Sequence, residues 1–211
     1  MDLSAILAFA VVAGLLTLTP GPNGLLVART VPTSGKAAGF ATVLGIAAAF
    51  YLHGALSILG LSVILLHSAT LFLILKIAGA AYLCWIGAKA LWSAWRMGTG
   101  PATSIAPARR TRTLAMAAAE GFLTNALNPK VALFYLAAFP QFLPAGSDSA
   151  WSALGLVVLH SVITTAWLSS LVVFFGRLTA ATGSTRFKRW IQAVTGAVFV
   201  AFGVQLATWR P

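Results

Sequence analysis

Apolar residues in this chain do not alternate with polar ones, and they do not mark one face of a helix. They come in long runs separated by short polar or basic stretches. Six runs stand out, at residues 3–27, 37–60, 69–93, 113–139, 150–175 and 190–208. A helix needs about 20 mostly apolar residues to cross the hydrocarbon of a bilayer, so the pattern predicts six transmembrane helices. The alternating segments of about ten residues that build a membrane β-barrel are missing from the sequence. The first run starts Met1-Asp2, has no basic stretch ahead of it and continues too long for a leader. It is therefore expected to be a span and not a cleaved signal peptide.

Composition strengthens this picture. Hydrophobic residues make up 59% of the 211 and charged residues 8%, whereas soluble domains carry about 25% charge. So little charge cannot coat a water-facing surface, which excludes an ordinary soluble enzyme and a disordered chain. The net charge of +11 would suggest nucleic acid in a soluble protein. Here the basic residues fall between the apolar runs, so no nucleic-acid partner is expected and the charge sets topology. Arg29 and Lys36 follow the first run. Arg96, Arg109, Arg110 and Arg112 follow the third, and Arg177, Arg186, Lys188 and Arg189 follow the fifth. Those ten basic residues share one side of the predicted topology. The other side, with Asp2, His67 and Asp148, holds only Arg210. The positive-inside rule then predicts loops at the ten-residue side in the cytoplasm and both termini outside it. Lys89 is expected to snorkel to the interface. A single cysteine, Cys84, rules out an internal disulfide and a thiol pair.

The stretch 98–107, rich in Gly, Pro, Ser and Thr, reads as a flexible cytoplasmic connector. It sits within a linker, 98–112, between a first three-helix repeat, 1–97, and a second, 113–211, the whole forming one membrane domain. Three spans per half means that the halves are inverted relative to each other, a plan shared by many secondary transporters. Two runs carry matched interruptions. The first contains Thr19-Pro20-Gly21-Pro22-Asn23 and the fourth contains Thr124-Asn125-Ala126-Leu127-Asn128-Pro129-Lys130. Proline in a helix interior removes a backbone donor and clashes with the preceding turn, at about 3 kcal/mol. Thr19 and Thr124 lie 105 residues apart, close to half the chain. The expected fold is thus an all-α integral membrane protein of six transmembrane helices, arranged as two inverted three-helix repeats with broken first and fourth helices.

Paired breaks at corresponding positions point to a binding site, because unpaired backbone survives in hydrocarbon only where it is buried in protein or lines a cavity. A broken helix offers free N–H groups at the start of its second half and free C=O groups at the end of its first. The former suit a carboxylate and the latter an ammonium, and Asn23, Asn125 and Asn128 add donors and acceptors. Thr19, Pro20, Gly21, Pro22, Asn23, Asn125, Asn128, Pro129 and Lys130 are the candidate substrate-binding residues, for a zwitterion such as an amino acid. The bland alternative is a kink that only relieves packing.

These residues carry a resemblance. Thr19-Pro20-Gly21-Pro22-Asn23 is similar to the signature of the lysine-exporter (LysE/RhtB) family of amino-acid efflux permeases. The similarity continues in Lys76-Ile77-Ala78-Gly79-Ala80-Ala81-Tyr82-Leu83 with Gly87, in Gly121-Phe122-Leu123-Thr124-Asn125 with Asn128-Pro129-Lys130, and in Phe139-Pro140-Gln141-Phe142. It covers essentially the whole chain. It implies export of amino acids or related small metabolites from the bacterial cytoplasm, driven by the proton gradient, without fixing the substrate. The last run has Gly196 and Gly203 but no counterpart of Lys76, so the internal symmetry is partial.

The remaining polar residues within the runs are candidates for proton coupling or for a polar cavity: Glu120, Lys76, Tyr82, His53 and His160. Glu120 is the sole acid inside a predicted span. It is either a proton carrier or ammonium ligand, or a structural partner of Arg112 or another basic residue. Lys76 either faces a polar cavity or snorkels outward. Lys130 either binds a carboxylate or braces its break. His53 and His160, 107 residues apart, either flank the cavity as a relay or make separate helix–helix hydrogen bonds. Gly35 and Gly39 form a small-xxx-small pair for close helix packing. Trp85, Trp92, Trp95, Trp151, Trp190 and Trp209 fit an aromatic belt. No metal site, cofactor motif, phosphate loop or nucleophile elbow is present in the sequence, so no enzyme activity is expected. The expected partners are a small amino-acid substrate, a proton and the lipid bilayer, with a homodimer left open, in the bacterial plasma (inner) membrane. Rival readings are a metal-ion or other small-solute exporter on the same scaffold, which lacks clustered ligands, a thiol–disulfide carrier, which lacks a second cysteine, and a membrane scaffold.

Overall fold

The computed structural model describes residues 2–59, 69–97, 113–143, 149–182 and 185–208. The expectations for His67, Arg109, Arg110, Arg112, Asp148, Trp209 and Arg210, and for the connector 98–107, lie outside them. Among the described residues the chain is helical throughout, with no strand. The helices are α1 (Leu3–Leu18), α2 (Pro22–Ser34), α3 (Lys36–Ile58), α4 (Ala69–Arg96), α5 (Leu114–Ala126), α6 (Pro129–Leu133), α7 (Ser149–Thr182) and α8 (Thr185–Thr208). After α6 the chain continues through a π-helical turn, Phe134–Ala138, and a 3-10 turn, Phe139–Phe142.

Both interruptions are real breaks. Helix α1 stops at Leu18, Thr19 is extended, and the Thr19 hydroxyl donates back to the Leu15 carbonyl at 2.7 Å. Pro22 opens α2 in the first turn, where its missing N–H costs nothing. The axes of α1 and α2 are bent by 51°. At the second break Asn128 caps α6, its side-chain oxygen accepting from the Lys130 amide at 3.1 Å, and Pro129 again takes the first helical position. Gly35, with φ of 91°, ends α2 and starts α3, a left-handed backbone that favours glycine.

Two helix pairs pack at backbone distance. A Cβ on Gly45 would lie 1.9 Å from the Ala118 carbonyl oxygen, and one on Gly121 would lie 2.2 Å from that of Thr42, so α3 and α5 touch main chain to main chain. On α4 and α8, a Cβ on Gly87 would sit 2.8 Å from the Gly196 oxygen, and one on Gly196 the same distance from the Gly87 oxygen. Small residues at such crossings are how helices associate in lipid, where there is no hydrophobic drive between them. Gly39 fulfils its expected packing role, for a Cβ there would meet Val31 at 2.6 Å and Val172 at 3.1 Å. The largest buried cluster centres on Phe9, Phe50, Tyr135 and Phe139, where α1, α3 and α7 meet the π and 3-10 turns. The outside is as apolar as the inside, with Leu7, Val11, Leu44, Val162 and Phe174 exposed. That surface suits lipid, and the exposed Trp85, Trp92, Trp95, Trp151 and Trp190 fit membrane interfaces.

Three of the described helices, α3, α7 and α8, are long and apolar enough to cross a membrane, and the bent pair α1–α2 makes a fourth if counted as one span. That count is of the described residues; α4 runs for 28 residues, and the fourth apolar run is divided between α5 and α6.

The charge map needs correction in two places. Arg29 is not a loop residue: it lies inside α2 and is 6% exposed. Arg177 belongs to α7, while Arg186, Lys188 and Arg189 belong to the start of α8, so the connector between these helices is only 183–184. The apolar runs ended sooner than the helices because helix propensity, unlike hydropathy, tolerates Arg and Lys well. Lys89 extends over the Trp85 ring, 5.1 Å from its centroid.

Candidate functional site

The two breaks meet. Between them and α7 lies a cavity of about 250 Å³. The first break contributes Thr19, Pro20, Gly21 and Asn23, and the second contributes Asn128 and Lys130. Helix α7 supplies one face, from His160 and Thr164 through Trp167 and Leu168 to Leu171 and Phe175, positions spaced as a stripe on one side of a helix.

Lys130 stitches the breaks together. Its ammonium donates to the Leu16 carbonyl at 2.7 Å and to the Thr19 carbonyl at 2.8 Å. These are carbonyls that the end of α1 leaves without intrahelical partners. The bracing role expected for Lys130 is therefore visible, and the carbonyls expected to receive a ligand's ammonium already hold this one. A Cβ on Gly21 would lie 3.2 Å from the Lys130 ammonium nitrogen, so a larger residue there would displace the lysine by a few tenths of an ångström. At the start of α2 the amides of Asn23 and Gly24 belong to the first turn, which has no acceptors of its own; Leu25 is the first whose amide bonds back, to the Gly21 carbonyl at 3.2 Å.

The asparagines divide their work. Asn23 Nδ2 donates to Asn125 Oδ1 at 2.9 Å, and Asn125 Nδ2 donates to the Ile46 carbonyl at 2.8 Å. Asn125 is fully buried and ties α2, α3 and α5 together behind the cavity. Asn128 acts as a helix cap whose remaining surface faces the cavity. On the opposite wall the hydroxyls of Thr17 and Thr164 share a hydrogen bond of 2.9 Å between α1 and α7.

A second polar cluster lies outside the cavity. Glu120 of α5 forms an ion pair with Arg29 of α2, and the pair is largely buried, at 13% and 7% side-chain exposure. Arg29 Nη1 also donates to the Ile86 carbonyl of α4 at 3.5 Å. The Tyr82 hydroxyl donates to the Glu120 carbonyl and pairs with the Thr124 hydroxyl, both at 3.2 Å. Three helices thus converge on one buried pair, one turn past the cavity residue Leu25 and next to Ala28 on α2.

The two histidines do not bond to each other. His53 Nε2 lies 3.0 Å from the Asn125 carbonyl oxygen. His160 lines the cavity, and its Nδ1 is buried without a hydrogen-bond partner. Between them stands Tyr135, nearly parallel to both rings, at centroid distances of 5.5 Å from His53 and 5.8 Å from His160. Tyr135 sits in the π-helical turn, a feature often found at functional sites. Lys76 is elsewhere. It borders a separate cavity of about 180 Å³ with Leu127, Pro129, Phe202 and Gln205, on the α4–α8 side of the second break.

The sequence reading named most of these groups but missed the contributions of Arg29, Tyr135, Thr17 and Thr164. Arg29 carried no distinguishing signal, since an arginine two residues past an apolar run is as easily a buried helical residue as a loop residue. Tyr135, in the middle of a predicted span, carried none that distinguishes it from packing.

A helical membrane protein with two interrupted helices meeting around a small cavity belongs among the polytopic translocators. The comparisons specify which. The family model for the LysE type translocator matches residues 14–210, and the chain belongs to that family. It is 28% identical over 193 residues to the threonine efflux protein of Escherichia coli K12, covering 90% of each chain. It is 27% identical over 211 residues to the leucine efflux protein of Klebsiella pneumoniae, covering 96% of this chain and 94% of that one. An uncharacterized membrane protein of Pseudomonas aeruginosa is 34% identical over 195 residues, covering 90% of this chain and 89% of the other. No solved structure matches at a significant level.

Proposed function

We propose that this chain exports amino acids or related small metabolites from the bacterial cytoplasm as a secondary carrier working by proton antiport and alternating access. The observation that carries the reading is the cavity where both helix breaks meet, bounded by the Lys130 ammonium and the first-turn amides of α2. Such a surface attracts a carboxylate. Relatives named for threonine efflux and leucine efflux support the substrate class.

The six-span, inverted-repeat arrangement is part of this reading. Gly87 and Gly196, on the third helix of each half, approach each other reciprocally at equal distance, as residues across a two-fold axis do. The basic residues gather at one end of the bundle. Lys36, at the start of α3, packs on Gly176 beside Arg177 near the end of α7, and α8 begins three residues after α7 ends. The start of α8 in turn lies beside the end of α4 and Arg96, because α4 and α8 run antiparallel through Gly87–Gly196 and Cys84–Gly203. Positive-inside topology makes that end cytoplasmic and puts both termini on the other side.

Coupling falls to Glu120, an acid held by Arg29 where α2, α4 and α5 meet. Protonation discharges the carboxylate and leaves Arg29 buried without its counter-charge. That penalty favours whichever arrangement separates the two or lets water reach the arginine.

The test is efflux from cells loaded with dipeptides, compared with an empty vector. At least one free amino acid should leave faster, and collapsing the proton gradient should abolish export against a concentration gradient. Unchanged efflux of every amino acid would refute the assignment. Glu120→Gln should lose uphill export yet keep exchange of labelled for unlabelled substrate; loss of neither would remove Glu120 from the coupling step.

A further inference from the structure

We propose that the outward face of α4, with the start of α8 beside it, binds the headgroup of an anionic phospholipid. Helix α4 turns one stripe away from the bundle. Trp85, Lys89, Trp92 and Arg96 follow one another at four, three and four residues, the spacing of a single helix face, and all of them are exposed. Trp95 widens the stripe, its ring 6.0 Å from that of Trp92. Helix α8 runs antiparallel alongside, with Gly196 against Gly87 and Leu91 of α4. Six residues before Gly196, at Trp190, α8 has therefore reached about the level of Trp95 and Arg96. Trp190, Arg189 and Arg186 are exposed there too. Indoles interleaved with cations favour the headgroup level of a bilayer over both water and hydrocarbon.

Each of the two α4 cations rests on an indole. The Lys89 ammonium is 5.1 Å from the centroid of Trp85, and the Arg96 guanidinium is 5.7 Å from that of Trp92. Trp85 lies one turn nearer the start of α4, so the Lys89 ammonium leans away from Arg96 and along the apolar surface. A ring face is a weaker partner for a cation than a phosphate oxygen, which accepts charge-assisted hydrogen bonds. Lys89 and Arg96 are about 10 Å apart along the axis, with Trp92 between them. Both side chains are long and flexible, and a phosphodiester over Trp92 would draw them together from either side.

The counter-charge has to come from outside the chain, which has only three acids, Asp2, Glu120 and Asp148. Glu120 is engaged by Arg29. Asp2 opens α1, at the other end of the first broken span from Lys36, and accepts from the Ser4 hydroxyl. Asp148 directly precedes α7, at the far end of that helix from Arg177. The apolar surroundings of Lys89 select a lipid over a soluble anion, because acyl chains carry a lipid phosphate to a cation that lies against hydrocarbon. A zwitterionic lipid brings its own ammonium and gains less from these cations.

The test uses the full-length chain in detergent micelles and reads quenching of tryptophan fluorescence by phosphatidylglycerol or phosphatidylcholine brominated on the acyl chains. Brominated phosphatidylglycerol should quench at a concentration lower by about tenfold or more, the scale set by two cations at a membrane surface. Lys89→Gln combined with Arg96→Gln should bring the two lipids to near equality. Lys36→Gln, which removes an exposed cation of α3 lying against α7, should leave the preference as it is. Equal quenching by both lipids in the parent overturns the site. A preference that survives the α4 double variant, or that Lys36→Gln abolishes as fully, reflects attraction to net charge alone and overturns it too. Quenching by neither lipid also overturns it, and a doubled particle mass in light scattering would then assign the stripe to a second copy of the chain. Binding is read without transport, so the outcome is independent of the carrier reading.

Discussion

The Arg29–Glu120 pair permits a quantitative prediction about what holds the helices around the cavity. Both side chains are largely buried, at 7% and 13% exposure. Removing one member of such a pair leaves an uncompensated charge and costs about 3–5 kcal/mol, whereas replacing both with apolar residues of similar volume is close to neutral. The perturbations are Arg29→Met, Glu120→Met and the double variant. For a chain of this length 1 kcal/mol shifts the unfolding midpoint by about 2–4 °C. Each single variant should therefore melt about 6–20 °C lower in detergent, and the double variant should recover most of the loss. The assay is thermal unfolding followed by tryptophan fluorescence, closed into a double-mutant cycle. Residues in direct contact within one network couple by about 0.5–3 kcal/mol or more. Single-variant losses that simply add in the double would show that the two charges do not face each other, and the coupling role given to Glu120 would fall with the pair.

Three further outcomes follow from the same geometry. Gly45→Ala, whose Cβ would fall 1.9 Å from the Ala118 oxygen, should sharply reduce folded protein in size-exclusion chromatography, while Gly14→Ala, with nothing within 4 Å, should behave as the parent. Asn125→Leu removes a donor to the Ile46 carbonyl and an acceptor for Asn23, so stability should fall by about 2–6 kcal/mol at about 1–3 kcal/mol per stranded group. Membrane insertion should persist, which fractionation would check. Lys130→Met abandons the Leu16 and Thr19 carbonyls, so amino-acid counterflow should drop at least tenfold with surface expression retained; unaltered counterflow would mean that the breaks need no stitch.

What could be read in advance depended on whether the signal was local. Pro20, Pro22 and Pro129 interrupt apolar runs beside Gly21, Asn23 and Asn128, so both breaks were legible, whereas Pro32 lies inside α2 without ending it. Hydropathy located every helix but not its ends: α2 runs on through Arg29 to Ser34, and α8 starts at Thr185 among basic residues. Partners across the bundle were not legible. Glu120 was a plain candidate, yet its partner is 91 residues away on another helix, and nothing local separates Arg29 from the basic residues at the helix ends. His53 and His160 stood out by their spacing, while Tyr135 between them did not, because a tyrosine in an apolar run looks the same whether it stacks on imidazoles or fills a core. The Thr17–Thr164 contact joins residues 147 apart and arises only when α7 packs against α1.

For a carrier the position of Lys130 matters as much as its charge. A free zwitterion brings one carboxylate and one ammonium, and the stitched break already contains the complement of each in mutual contact: an ammonium on Lys130 and the carbonyls of Leu16 and Thr19. A substrate carboxylate that draws Lys130 toward itself releases those carbonyls, which are then short of a donor at the moment an ammonium arrives. Under the proposed carrier function a substrate would thus replace the stitch instead of adding to it. In this way a ligand can bind one arrangement of α1 and α6 better than another, which is the condition for shifting a conformational equilibrium at all. A break held by packing alone would offer no such exchange, and a lysine unable to reach both carbonyls would leave the two halves of the first span with nothing to hand over.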